Sequence, residues 1–136
     1  MNQMTQKGTH VILIDDELDT LNEIADILHD AGYICHLFES AMAVRQGIGD
    51  LSPDLIVSDI NLDGASGLEL CRELKQLYAM SEVPVIFLSG AEIPNIIRRA
   101  HAAGGSYYLR KPFDSNVLID LVKKSLWTPH LVGTQS

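Results

Sequence analysis

The stretch VILIDDE, residues 11–17, combines two features that conflict unless something else in the chain resolves them. Four apolar residues run directly into three carboxylates, Asp15, Asp16 and Glu17. Adjacent like charges repel, and a carboxylate beside an apolar core is costly to desolvate unless a positive group lies near it. The stretch indicates either a solvated turn after a buried strand or a binding site for a metal ion or a phosphate.

Four further apolar runs share the character of residues 11–14, since each is short and rich in β-branched or aromatic side chains. They lie at residues 34–38, 55–57, 85–88 and 107–109. Such runs are typical of buried strands in a parallel sheet. Segments with helical periodicity alternate with them. The order βαβαβαβαβα predicts an α/β fold, (βα)5, in which a doubly wound, five-stranded parallel sheet has helices on both faces.

Four of the helical segments have an apolar stripe at helical spacing, which predicts the face that packs on the sheet. The stripes are Leu18, Leu21, Ala25 and Leu28; then Leu68, Cys71, Leu74 and Tyr78; then Ile93, Ile97 and Ala100; and last Leu118, Leu121, Val122 and Ser125.

Size and composition fit one globular domain. The chain has 136 residues, of which 46% are apolar and 21% charged, and no apolar run reaches the roughly 20 residues that span a bilayer. The polar N-terminus lacks a signal-peptide core, and the two cysteines have no ligand spacing, so we expect a cytoplasmic protein with no membrane association. We expect a tail at residues 1–8, the domain at 9–126 and a second tail at 127–136.

The charge is unevenly distributed along the chain. The net charge of −8 argues against direct nucleic-acid binding. Residues 1–92 hold sixteen acidic and four basic side chains, whereas residues 93–136 hold two acidic and six basic ones. The basic residues of the second part occur in pairs, at 98–99, 110–111 and 123–124. These pairs indicate either ordinary solvated helix faces or a surface that attracts an acidic partner.

Polar residues follow four of the predicted strands. Asp15 and Asp16 follow the first strand, Asp59 the third, Ser89 the fourth and Lys111 the fifth. The carboxyl ends of parallel strands form the ligand crevice in such folds, so these side chains should converge. Three carboxylates favour a shared Mg²⁺, which prefers oxygen ligands, and a lysine and a hydroxyl can hold a phosphate. These groups suit phosphoryl transfer, with a carboxylate as nucleophile.

Taken together, four motifs resemble those of the receiver domain of two-component response regulators, the CheY-like family. They are LIDDE, LIVSDINLDGASG, FLSGA and YYLRKPF, and the resemblance covers residues 9–126. It implies a flavodoxin-like strand order, 2-1-3-4-5. It also implies that Asp59 is the phosphoacceptor, that Asp16 and Asp59 bind Mg²⁺ directly, that Asn61 contributes its backbone carbonyl, and that Asp15 acts through water.

The same resemblance assigns the phosphate-binding and switch residues. Lys111 would bind the phosphate, Ser89 would be the switch hydroxyl and Tyr108 the switch aromatic residue, and Pro112 would follow a cis peptide bond. One departure is Asp63, where the family usually has proline. Its carboxylate would either weaken metal or phosphate binding or cap the turn before Gly64. The second departure, serine rather than the commoner threonine at position 89, keeps the hydroxyl.

The function implied is that of a receiver which takes a phosphoryl group on Asp59 from a histidine kinase or histidine phosphotransfer protein. It would be a phosphoacceptor rather than an enzyme, supporting its own Mg²⁺-dependent phosphorylation and dephosphorylation. The phosphorylated form would act on a downstream protein or a second copy through the fourth helix, fifth strand and fifth helix.

Two alternatives remain at this stage. A degenerate receiver would bind partners without phosphorylation, although the retained acceptor and lysine argue against it. A haloacid-dehalogenase-type phosphatase also forms an aspartyl phosphate, but that family has a DxD nucleophile after its first strand, and this chain has DDE.

Overall fold

The computed structural model describes the backbone of residues 8–135 and the side chains of residues 8–127. Most of the predicted N-terminal tail, residues 1–7, lies outside this part. The strands are β1 (His10–Ile14), β2 (Ile34–Phe38), β3 (Leu55–Asp59), β4 (Asn61–Leu62), β5 (Ala65–Ser66), β6 (Val85–Ser89) and β7 (Tyr107–Arg110). The helices are α1 (Leu18–Asp30), α2 (Ala41–Gly47), α3 (Gly67–Leu77), α4 (Ile96–Ala102) and α5 (Ser115–Gln135).

Five strands form one parallel sheet in the order β2-β1-β3-β6-β7. Without the short strands β4 and β5, this is the predicted order 2-1-3-4-5, so the predicted doubly wound fold is confirmed. The three central strands are almost wholly buried, as their continuous apolar sequences require. The order places the carboxyl ends of β1 and β3 side by side at the centre of one sheet edge.

Each face of the sheet has its own apolar core, because successive side chains of a strand point to opposite faces. On one face Ile12, Ile56 and Phe87 pack against α2, α3 and α4. On the other face Val57 and Leu88 pack with residues of α1 and α5. Helices on both faces therefore fix the sheet from each side.

Two of the predicted apolar stripes are partly wrong. Leu18 is 52% exposed, and α1 is buried instead through Leu21, Ile24 and Leu28. Leu18 is the first residue of its helix, where the helix has not yet passed over the sheet. Ile97 is 70% exposed, because the short helix α4 buries only Ala100 fully.

The end of the last helix also differs from the prediction. Residue 127 is the predicted start of a C-terminal tail that follows the last helix, but α5 continues to Gln135. A helix needs backbone hydrogen bonds rather than an apolar stripe, so the loss of periodicity after residue 126 does not mark its end. The domain boundaries themselves stay a prediction. Within the described residues, no helix has the length and apolar character needed to cross a membrane.

Candidate functional site

The acidic turn after β1 is folded back on itself and partly buried. The side chain of Asp15 lies in the protein interior, with the residue only 1% exposed. Its backbone N–H donates to the Phe38 carbonyl at 3.2 Å, which anchors the turn to the neighbouring strand β2. Its Oδ1 accepts a hydrogen bond from the Glu17 N–H at 2.9 Å. This turn carries the Glu17 side chain to the same end of the sheet.

Asp59 is the last residue of β3 and is 5% exposed. Its Oδ1 accepts a hydrogen bond from the Asn61 N–H at 3.2 Å. After Asp59 the chain forms a small antiparallel hairpin, in which Asn61 pairs with Ser66 and Leu62 with Ala65. The sequence does not predict this hairpin, because its strands are too short to give a periodic signal.

Gly67 allows the hairpin to close against β3. Its N–H donates to the Ile60 carbonyl at 2.6 Å, and a Cβ atom at this position would overlap with the backbone carbonyl oxygen of Asp59. A glycine is therefore needed for the close approach. The sequence alone does not show that Gly67 matters here, because the need for a glycine arises only from the folded path of the hairpin.

Lys111 brings the carboxylates together. It follows β7, and its backbone N–H donates to the Ser89 carbonyl at 2.9 Å. The ammonium nitrogen Nζ lies 2.9 Å from Asp15 Oδ2, 3.0 Å from Asp59 Oδ2 and 3.3 Å from Glu17 Oε1. One ammonium thus faces three carboxylates, and the ionised group carries an excess of two negative charges.

This imbalance affects the acidity of both central groups. Burial raises the pKa of Asp59, and the nearby charge of Asp15 raises it further, although hydrogen bonding to Lys111 acts in the opposite direction. Burial opposes the charged form of Lys111, but its hydrogen bonds to Asp15 and Asp59 outweigh burial and raise its pKa. The site therefore favours the charged form of Lys111 and disfavours the charged form of Asp59.

The donor set fits a hard divalent cation. Asp15, Glu17 and Asp59 each offer a carboxylate oxygen, and these oxygens all lie within 4.8 Å of one another. Clustered oxygens with excess negative charge are the ligands that Mg²⁺ prefers. Asp16, predicted as a direct ligand, is half-buried and is not in this group, whereas Glu17, which was not predicted as a ligand, is in it. The three adjacent carboxylates were visible in the sequence, but it does not show which of them point inward.

Ser89 and the Lys111–Pro112 bond lie at the same end of the sheet, whereas Tyr108 lies opposite Phe87 in the middle of β6. Ser89 ends β6 and is fully buried; its Oγ accepts from the Ala91 N–H at 3.1 Å and lies 3.2 Å from the Ala91 carbonyl, to which it donates. Tyr108 of β7 is half-buried and packs against the edge of the core that contains Phe87. The peptide bond between Lys111 and Pro112 is cis.

Asp63, the departure from the usual proline, lies in the turn of the β4–β5 hairpin. It is exposed, and Gly64 after it has φ of +73°. Asp63 is not one of the three clustered carboxylates among the described residues. Its position fits a residue of the turn rather than of the acidic cluster.

Comparison with known proteins defines the class. Residues 11–123 match the family described as response regulator receiver domain, so the chain belongs to that family. It is 35% identical over 120 residues to the phosphate regulon transcriptional regulatory protein PhoB of Pseudomonas aeruginosa, covering 88% of this chain and 52% of that protein. It is 31% identical over 121 residues to the DNA-binding transcriptional regulator NtrC of Escherichia coli, covering 89% of this chain and 25% of NtrC.

Solved structures show the same fold. The chemotaxis response regulator CheY4 of Vibrio cholerae superposes with a TM-score of 0.80 at 22% identity, covering 88% of this chain and 99% of CheY4. The chain is a receiver domain, and phosphorylation-dependent switching is the role of its family. Its acidic residues cluster as they do in receiver domains, which bind Mg²⁺. The chain spans about half of PhoB and a quarter of NtrC.

Proposed function

We propose that Asp59 accepts a phosphoryl group from a histidine kinase or a histidine phosphotransfer protein. The observation that carries this proposal is the position of Asp59 at the carboxyl end of β3, with Oδ1 bonded to the Asn61 N–H and Oδ2 to Lys111. A carboxylate oxygen forms the new bond to phosphorus while the bond from phosphorus to the donor imidazole breaks. The raised pKa of Asp59 reflects its burial and the nearby charge of Asp15, and a bound cation would offset both effects.

Magnesium is the cation that this donor set fits best. Asp15, Glu17 and Asp59 would hold it, with Asp16 and the backbone carbonyl of Asn61 as further ligands that the family resemblance supports. When bound, the ion neutralises charge on the phosphoryl oxygens. Lys111 supplies a fixed positive charge on the same group. The domain's own contribution to its phosphorylation and dephosphorylation would be this arrangement of charges.

The switch would begin at Ser89. Its hydroxyl is bonded to both backbone groups of Ala91, so a phosphate on Asp59 competes with these bonds for the hydroxyl. A displacement of the loop after β6 would alter the space beside Tyr108. Phosphorylation can only favour one of two arrangements that already exist, and about −1.5 to −2 charges are added near neutral pH.

The output surface would be α4, β7 and α5. A groove of about 470 Å³ lies there, lined by Ile93, Ile96, Tyr108 and Arg110 among others. Arg98 of α4 is exposed, so an acidic partner or an acidic patch of a second copy would be attracted. The relatives include DNA-binding regulators by name, but the predicted absence of direct nucleic-acid binding rests on the charge of −8 of this chain alone.

Incubation with acetyl phosphate and Mg²⁺, followed by intact-mass measurement, tests the function. A phosphoacceptor gains one phosphoryl group, and chelation of Mg²⁺ prevents the gain. A degenerate receiver gains none, and a phosphatase turns over small phosphate esters. Asp63→Asn is the matched control, because it removes an exposed carboxylate four residues away and should leave the gain unchanged. No gain on the wild-type protein contradicts the proposal.

A further inference from the structure

A second cavity lies at the opposite end of the sheet from Asp59. Its volume is about 400 Å³, and it is bounded by the segments that precede β6 and β7 and by helices α3 and α5. Lys75, Glu82, Tyr107 and Ser125 are among its lining residues. None of them takes part in the site at the carboxyl ends of the strands.

Lys75 provides a positive charge without a carboxylate partner in this cavity. Its Nζ donates to the Val83 carbonyl at 2.6 Å and to the Ser81 carbonyl at 3.4 Å. An ammonium has three donors, so one remains for another acceptor. Within residues 8–127, none of the ion pairs includes Lys75. Burial lowers the pKa of Lys75, although the nearby charge of Glu82 acts in the opposite direction.

Ser125 provides an unused polar group at the same place. The residue is 2% exposed, and its Oγ has no hydrogen-bond partner, alone among the buried polar side-chain atoms of the described residues. A buried hydroxyl without a partner has lost its hydrogen bonds to water, which costs free energy. A ligand that hydrogen-bonds to this hydroxyl recovers that cost, so the bond contributes more to the binding free energy than a bond to an exposed hydroxyl does. One donor of Lys75 and the hydroxyl of Ser125 are therefore available for a ligand in this cavity.

We propose that this cavity binds a small organic anion with a single carboxylate. The carboxylate accepts from Lys75 while the apolar body lies against Val83, Pro84 and Tyr107. A volume of about 400 Å³ is within the usual range for small-molecule sites, roughly 300–1,000 Å³. Glu82 is exposed on the rim, and its charge favours a singly charged carboxylate over a doubly charged phosphate.

Titration of the ¹⁵N-labelled protein with phenylacetate, followed by amide NMR, tests the proposal. Phenylacetamide is the neutral probe of the same shape, and phenyl phosphate tests the other anion. We expect saturable shifts at Glu82 and Ser106 with phenylacetate, and affinities at least about tenfold weaker for phenylacetamide, as for loss of a charged hydrogen bond. Equal binding of the acid and the amide overturns the proposal, as does the absence of saturable shifts at these amides.

Variants assign the binding to the two residues. Lys75→Gln keeps a donor for the Val83 carbonyl but removes the charge, and should weaken phenylacetate binding roughly ten- to a hundredfold. Lys123→Gln, an exposed lysine of α5, is the matched control and should bind as the wild type does. Ser125→Ala should weaken binding several-fold while leaving the unliganded protein at least as stable. Wild-type affinity in Lys75→Gln contradicts the assignment, whatever Ser125→Ala does.

Discussion

Replacement of Lys111 by methionine should destabilise the domain through electrostatic repulsion, and Mg²⁺ should reverse much of the loss. Lys111 Nζ contacts Asp15 and Asp59 at 2.9 and 3.0 Å, and both side chains are nearly inaccessible to water. Removing one partner of a buried ion pair costs about 3–5 kcal/mol. Glu17 is exposed and adds little. We therefore expect the free energy of unfolding to fall by about 3 kcal/mol near neutral pH without divalent cations, which corresponds to a decrease in Tm on the order of 10 °C.

Magnesium should stabilise Lys111→Met more than the wild type. The variant has three carboxylates with no ammonium, so a cation relieves more repulsion than in the wild type. The measurement is urea unfolding with and without millimolar Mg²⁺, with Lys123→Met as the control for loss of an exposed lysine. If Lys111→Met loses the same free energy in both buffers, Lys111 acts through packing of its methylene groups, and the electrostatic reasoning is refuted.

The pH dependence of stability tests the electrostatic role of Lys111 independently. The pKa of Lys111 is raised in the folded state above its ordinary value of 10.5. The stabilisation it provides is therefore fully present below pH 10.5 and is lost as the pH rises through the folded-state pKa. The pKa of Asp59 is raised, so on acidification Asp59 becomes protonated, and the difference in unfolding free energy between wild type and Lys111→Met should shrink. A difference that stays constant with pH would contradict this.

Asp59→Asn should raise the free energy of unfolding near neutral pH without Mg²⁺. The pKa of Asp59 is raised above its ordinary value of 3.8 in the folded state, so its ionisation lowers stability as the pH rises, and the asparagine removes this loss. Equal or lower stability of the variant in urea unfolding would contradict this. Gly67→Ala should lower the free energy of unfolding by about 3 kcal/mol or more in the same assay, because the added methyl group overlaps with the backbone of β3. Gly49→Ala is the control and should lower it far less, because nothing lies within 4 Å of the added methyl group. Charge reversal at Arg98 and Lys123 should weaken partner binding or self-association of the beryllofluoride-loaded protein, and the effect should be largest at low salt. Analytical ultracentrifugation or titration calorimetry measures this. Unchanged association would place the output surface elsewhere.

The sheet was predictable because its signal is local. A buried parallel strand such as residues 55–57 is recognisable from its own side chains, and the alternation with helices then restricts the topology to few arrangements. The convergence of Asp15, Asp59 and Lys111 followed from that topology alone, since all three lie at carboxyl ends of strands. Their distances from one another depend on the tertiary packing.

The missed features depend on the path of the chain after each strand. Glu17 reaches Lys111 because the turn after β1 folds back through the Glu17 N–H bond to Asp15. Gly67 matters because the hairpin returns to β3 before α3 begins. The stripe containing Ser125 was predicted to be buried, but only the tertiary contacts show that its hydroxyl has no partner.

Localisation of the phosphoryl group tests the central claim most directly. The protein is phosphorylated with acetyl phosphate and Mg²⁺, reduced with borohydride so that an aspartyl phosphate becomes homoserine, digested, and sequenced by mass spectrometry. The account predicts conversion at Asp59 in the wild type and in Asp63→Asn, and none in Asp59→Asn. Conversion at Asp15, Asp16 or Asp63 with Asp59 intact would contradict it.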